Sequence, residues 1–149
     1  MKKMVDENLA KDLVKMKENG TMSEDPKNML KLMELIKQVS LENEDLIEEL
    51  KNMDEVLAQM VITDKDFKWW IKLGDGKFEY GEGENKDASF SMLSGWKTLS
   101  GVMTGEIDGT VVYMSGDLKM EGNVQDTMAF GDYFQFAMEI LEELGYWGM

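Results

Sequence analysis

The stretch Phe67-Lys68-Trp69-Trp70-Ile71-Lys72-Leu73-Gly74-Asp75-Gly76-Lys77-Phe78-Glu79-Tyr80-Gly81 decides the fold class. Phe67, Trp69, Ile71 and Leu73 alternate with Lys68, Trp70 and Lys72, the period of a strand with one buried face. Gly74-Asp75-Gly76 has the composition of a hairpin turn, and Phe78 and Tyr80 share one side of the returning strand. Upstream, Leu57-Ala58-Gln59-Met60-Val61-Ile62 is an apolar run of strand length ending in the turn Thr63-Asp64-Lys65-Asp66. Downstream, after the loop Gly81-Glu82-Gly83-Glu84-Asn85, Ala88-Ser89-Phe90-Ser91-Met92 is a further short strand. This order predicts an antiparallel meander.

Helical periodicity flanks the meander on both sides. From Met4 to Glu18, Val5, Leu9, Leu13 and Met16 share a helical face, and Asn19-Gly20 ends it. Asp25-Pro26 reads as the N-cap and first position of a second helix striped by Met29, Leu32, Met33, Ile36 and Val39. A third, from Asn43 to Met53, turns Leu46, Ile47, Leu50 and Met53 inward. Its acids, Glu42, Glu44, Asp45, Glu48 and Glu49, read as a helix-dipole complement and a solvated face rather than a ligand set. After the meander come helices at 94–103 (Trp96, Leu99, Val102, Met103) and 107–114, and strand-like alternation at 117–121. Asn123 caps a final helix reaching Leu144, with Val124, Met128, Phe134, Ala137, Met138, Ile140, Leu141 and Leu144 as its apolar positions. We divide the chain into an N-terminal helical extension, residues 1–53, and a domain at 54–149.

Composition excludes more chemistry than any motif adds. The 149 residues carry 16 Lys and 30 acids, a formal charge of −14, with no Arg, His or Cys. That leaves no imidazole base, no Ser-His or Cys-His nucleophile pair and no ordinary zinc site. It also leaves no disulfide framework or thiol centre. Bidentate arginine recognition of phosphate is absent, and the charge opposes a nucleic-acid backbone, so nucleic acid is not expected as a partner. No apolar run approaches the ~18 residues of a membrane span, and Met1–Glu7 is too polar for a signal peptide. We expect a cytoplasmic protein whose contact with membranes is at most transient, because its charge repels anionic head groups.

Two glycine clusters, Gly74-Asp75-Gly76 and Gly81-Glu82-Gly83, lack the third glycine of a dinucleotide loop and lie between strands. Asp64 and Asp66 resemble the start of a calcium loop, but Trp69 stands where its glycine is required. Neither a metal nor a cofactor is expected. Thirty acids leave a carboxylate pair possible in principle, yet nothing singles out two of them. Fifteen Met are unusual, and Met either fills gaps in a core or lines a surface that adapts to varied shapes. From Met92 to Met138, Trp96, Leu99, Met103, Ile107, Val111, Met114, Met128, Phe130, Phe134 and Met138 lie on short helices broken by Gly95, Gly101, Gly105, Gly109 and Gly116. Each Gly weakens its helix and removes a side chain from the packed layer. An apolar cavity and a close-packed core both fit this pattern, the packed core better.

The most telling run is Ser115-Gly116-Asp117-Leu118-Lys119-Met120-Glu121-Gly122-Asn123, leading into the last helix. It follows Met60-Val61-Ile62-Thr63-Asp64, the hairpin from Trp69 and Ile71 through Gly76-Lys77-Phe78, the strand with Phe90 and Met92, and Met103-Thr104-Gly105. In this order the chain from Leu57 to Leu144 resembles the sterol carrier protein type 2 family. The resemblance implies an α+β fold in which a single, mostly antiparallel sheet of about five strands is covered on one face by helices. Between the layers it implies an apolar tunnel walled by Trp69, Ile71, Phe90, Met92, Trp96, Leu99, Met103, Val111, Met114, Phe134 and Met138. It further implies non-enzymatic binding of a fatty acid, acyl-CoA, phospholipid or sterol. The head group would sit at the mouth, near Lys residues, Gln125, Gln135 or the amides opening the last helix. The rival expectation is an interaction module, in which the N-terminal helices or Tyr146-Trp147 dock a partner enzyme or a second copy as a homodimer. The C-terminal Trp147-Gly148-Met149 is not a Ser-Lys-Leu-type peroxisomal signal.

Overall fold

Five strands, β1 (Val56–Ile62), β2 (Phe67–Gly74), β3 (Lys77–Glu82), β4 (Phe90–Ser94) and β5 (Lys119–Gly122), form one sheet of order β3-β2-β1-β4-β5. The computed structural model describes residues 5–147. The expected meander holds for β1, β2 and β3, which pair antiparallel in sequence. The chain then recrosses the sheet, and β4 pairs in parallel with β1 before β5 joins it antiparallel. The sheet is therefore mixed. A parallel neighbour needs a crossover, and here residues 83–89 supply it by passing over the outer face of β2 and β1.

Buried Gln59 of β1 ties that crossover down. Its Nε2 donates to the Trp69 and Gly83 carbonyls at 3.0 Å each, and its Oε1 accepts from the Asn85 amide at 2.7 Å. Gln59→Leu leaves these groups unpaired, so we expect a loss of about 2–3 kcal/mol of stability in urea titrations. Amide exchange should accelerate at Asn85 first; unchanged protection there would contradict the clamp.

Register puts Val56, Ala58, Met60 and Ile62 on one face with Phe67, Trp69, Ile71 and Leu73. Phe78, Tyr80, Phe90, Met92 and Met120 extend that face across the other strands. The opposite face carries Lys68, Trp70, Lys72, Glu79, Lys119 and Glu121, as period-two patterning requires. The helices α1 (Glu7–Asn19), α2 (Asn28–Glu42), α3 (Glu44–Asn52), α4 (Trp96–Met103), α5 (Gly109–Ser115) and α6 (Val124–Glu143) follow the expected order. α2 packs on β3, α3 on the β2–β3 hairpin, α4 beside β4, and α6 over β1, β4 and β5, while α1 rests on α2. Leu13 of α1, Leu32 and Ile36 of α2 and Leu50 of α3 belong to the same hydrophobic core as Trp69 and Leu141. The helices before residue 53 thus share the core of the sheet.

Local chemistry sets the helix ends. Asp6, Asn43 and Asn123 accept from amides of the first turns of α1, α3 and α6. α2 starts later than the Asp25-Pro26 pattern suggests. The Asp25 carboxylate accepts from the Lys27 amide at 2.9 Å and the Asp25 carbonyl from the Asn28 amide at 3.0 Å, closing a separate turn before the helix. Met4, Gly148 and Met149 lie outside the described residues.

Candidate functional site

Nine of the eleven residues expected to wall a tunnel are buried between the sheet and its helices. Trp69 and Ile71 point inward from β2, and Phe90 and Met92 from β4, because each pair lies two residues apart on a strand. Trp96, Leu99 and Met103 recur on one side of α4, and Phe134 and Met138 on the buried side of α6. Aromatic contacts join the layers: Phe90 meets Phe130 edge-on at 5.6 Å, and Phe130 stacks on Phe134 at 5.4 Å. Trp96 is also an anchor, its Nε1 donating to the Ser23 carbonyl at 2.6 Å. Its amide donates to Asp64 Oδ1 at 2.8 Å, which occupies the carboxylate that had resembled a calcium ligand.

Val111 and Met114 do not join this layer. They are 61% and 81% exposed, and α5 buries none of its side chains fully. Its inward contacts come from half-buried Val112, whose carbonyl accepts from the Leu118 amide at 3.0 Å. Gln125 and Gln135 are exposed on α6.

The structure does not show the tunnel. Of the glycines that suggested gaps in the side-chain layer, Gly101 is filled by a neighbour, whereas Gly105 and Gly116 have no atom within 4 Å of the place a Cβ would take. The Ile107 side chain lies where a Cβ on Gly101 would point, and the Trp70 ring lies across Gly81 on the outer face. An open groove of about 420 Å³ lies elsewhere, between α3 and α6, lined by Glu49, Met53, Ala129, Asp132, Tyr133 and Phe136. Apart from Glu49 and Met53, sequence reading had not singled these out; the signal was the spacing of 129, 132, 133 and 136, which puts four residues on one helical face.

Three buried side-chain atoms among the described residues lack a hydrogen bond: Ser40 Oγ, Trp69 Nε1 and Tyr133 Oη. Tyr133 Oη lies near Ser40 Oγ without bonding geometry. Burial holds the Tyr133 phenol well above its ordinary range, with the Glu49 charge adding to the effect and Ser40 opposing it. Burial likewise raises the Tyr80 phenol, aided by the bond it donates to Glu34 at 2.7 Å and by that carboxylate's charge. Both folded values exceed the unfolded one, so their stabilisation is complete below about pH 10 and is lost as pH rises beyond it. Unfolding titrations should show stability falling above about pH 10, with a shallower fall in Tyr80→Phe/Tyr133→Phe. An equal slope in that variant would contradict the assignment.

Among the described residues no helix is long and apolar enough to cross a membrane. In fold the chain is similar to the UbiJ-SCP2 ubiquinone synthesis protein, with TM-score 0.58 and 12% identity over 76% of this chain and 93% of that one. It is similar to the apo form of sterol carrier protein 2 from Yarrowia lipolytica, with TM-score 0.54 and 18% identity over 72% and 90% of the two chains. It also matches part of the inverting sec-alkylsulfatase Pisa1 from Pseudomonas sp., with TM-score 0.55 and 15% identity over 74% of this chain but only 16% of that enzyme. At these identities the likeness concerns the fold. No curated protein matches the chain by sequence. Residues 32–135, from within α2 to within α6, match the family described as SCP-2 sterol transfer. On that match the chain belongs to the SCP-2 sterol transfer family.

Proposed function

We propose that this protein is a non-enzymatic lipid carrier whose ligand inserts its apolar tail between the sheet and the helices. The observation that carries this reading is the composition of that layer in a member of a sterol transfer family. Met60, Met92, Met103 and Met138 are buried there with Trp69, Phe90 and Phe134, and Met120 borders them. Methionine changes shape at little cost, so a layer built on it can open around a tail and close without one. Each methylene transferred from water contributes ~0.8 kcal/mol, so a tail of about twelve supplies roughly 10 kcal/mol gross. Association and separation of the helices consume part of that. Trp69 Nε1, buried in this layer with no acceptor, supports a ligand bearing an oxygen that reaches inside.

A fluorescent fatty acid should bind saturably and be displaced by unlabelled lipid. Trp69→Phe keeps an aromatic ring but removes the donor. We expect about fivefold weaker binding of oxygenated lipids with stability within about 1 kcal/mol of wild type. Absence of saturable binding by any lipid class would overturn the carrier reading. A second reading, an interaction module, is favoured by the outward-facing Val111, Tyr113 and Met114 of α5 and Val124 and Met128 of α6. Trp147, by contrast, is buried and committed within the fold. Met114→Glu should leave the sedimentation coefficient unchanged if the carrier reading is sufficient, and lower it if self-association is the function.

A further inference from the structure

Strand β5 closes one side of the sheet and has backbone groups that the fold does not pair. The Asn123 amide donates to the Ser89 carbonyl at 3.0 Å, and the register sets Ser91 opposite Glu121 and Leu93 opposite Lys119. Bonded positions alternate along an antiparallel ladder, so Lys119, Glu121 and Asn123 bond toward β4. The amide and carbonyl of Met120 therefore point the other way, to the side on which β5 has no neighbouring strand. Lys119, Glu121 and Gly122 are exposed and Met120 is half-buried, so this edge is open to a further strand. It is closed only at its start, where the Leu118 amide is bonded to the Val112 carbonyl at 3.0 Å.

The side chains identify the strand that fits. Proteins often guard an open edge with lysines, whose like charges repel a second copy. β5 instead carries opposite charges, Lys119 and Glu121, both on the outer face, and neither forms an ion pair among the described residues. Lys-Met-Glu is its own complement when reversed. With a two-fold axis at Met120, each Lys119 stands opposite the Glu121 of the other copy. The two Met120 residues then take the bonded position, each amide donating to the other's carbonyl, and the charged pairs fall where side chains approach most closely. A ladder this short is not a stable interface, which takes roughly 20 residues a side. The same axis adds to it by bringing the end of α5, with exposed Val111, Tyr113 and Met114, toward the start of α6 of the other copy, where Val124 and Met128 are exposed. We propose that β5 is a self-pairing edge, through which two copies of this chain join antiparallel about a two-fold axis at Met120. The proposal rests on the interaction reading, to which it gives one occupant and one register, and is independent of lipid carriage.

The test is sedimentation of the full chain at an ionic strength of about 0.15 M, where the charge of −14 on each copy is screened beyond ~8 Å. A monomer–dimer equilibrium should appear across micromolar concentrations. Amide exchange in the same samples should slow at Met120 as the dimer forms, while Lys119 and Glu121, already bonded to β4, stay as they were. Lys119→Glu and Glu121→Lys each set like charges opposite one another and should weaken dimerisation about tenfold. Mixing these two variants should restore it, because a strand with two acids then meets a strand with two lysines. Lys119→Glu/Glu121→Lys should likewise dimerise as wild type does. Met120→Pro removes the outward amide without costing a bond to β4 and should leave a monomer. A monomer at every concentration overturns the proposal, whatever else can occupy the edge. So does a dimer in which Met120 exchange is unchanged, or one that neither single charge variant weakens. A dimer that Met114→Glu dissociates but the charge variants leave intact overturns this register while the interaction reading stands. Fatty-acid binding measured alongside reports on the apolar layer, so the carrier reading and the dimer fail separately.

Discussion

Trp147→Ala should lower the unfolding free energy by about 3–5 kcal/mol, the range for removing a large aromatic from a core. Trp147 lies near the chain's end, yet it is 1% exposed. Gly145, at φ 77°, turns the chain out of α6, and the Tyr146 and Trp147 amides then donate to the Leu141 carbonyl at 2.9 and 3.3 Å. The indole Nε1 reaches the Thr104 carbonyl just after α4 at 3.2 Å, and Lys17 Nζ from α1 stands 5.0 Å from the ring centroid. One side chain therefore ties α1, α4 and α6 together. Urea unfolding measures the effect. A loss below about 1 kcal/mol would mean that the tail is not docked as described.

Gly122→Ala should cost about 3 kcal/mol or more, lowering the melting temperature by roughly 10 °C. Gly122 sits at φ 110°, and an added Cβ would lie 2.5 Å from the Ser89 carbonyl oxygen and 2.7 Å from Phe90 Cα. Those atoms belong to the start of β4, whose register pairs Phe90 with Gly122. The Asn123 amide donates to the same Ser89 carbonyl at 3.0 Å, so a shift that relieves the clash also disturbs the entry to α6. Gly116→Ala is the control. It shares a positive φ of 89° but meets nothing within 4 Å, so only strain of about 1 kcal/mol is expected. Equal effects at the two positions would show that close approach of the strands is not what requires glycine at 122.

The glycine-framed run is a case where sequence pattern was enough, because both glycines mark backbone that other residues adopt only under strain. The alternation at 67–73 was equally legible, since a buried face and a hairpin are local features. The parallel pairing of β4 with β1 was not, because a short strand carries no mark of which distant edge it joins. Gln59 held that answer, but a lone glutamine in an apolar run does not announce what it will clamp. The stripe of α2 announced a helix without showing that Met29, Leu32, Leu35 and Ile36 would enter the same core as the sheet. On the site, inward positions of β2, β4 and α6 followed from periodicity. α5 is too short for its apolar residues to define a face, and Val111 and Met114 turn outward. Likewise, that Ile107 fills the space at Gly101 depends on how two segments fold back on each other. The groove at Tyr133 depends on α3 meeting α6, a relation between distant segments.

The central claim is that the apolar layer admits a lipid, and native mass spectrometry of the purified full chain tests it most directly. The account predicts a population carrying a single non-covalent lipid mass, released on collisional activation and exchanged for added fatty acid at one equivalent. A chain that is only ligand-free, and that stays so after incubation with fatty acid, sterol and phospholipid, would contradict it.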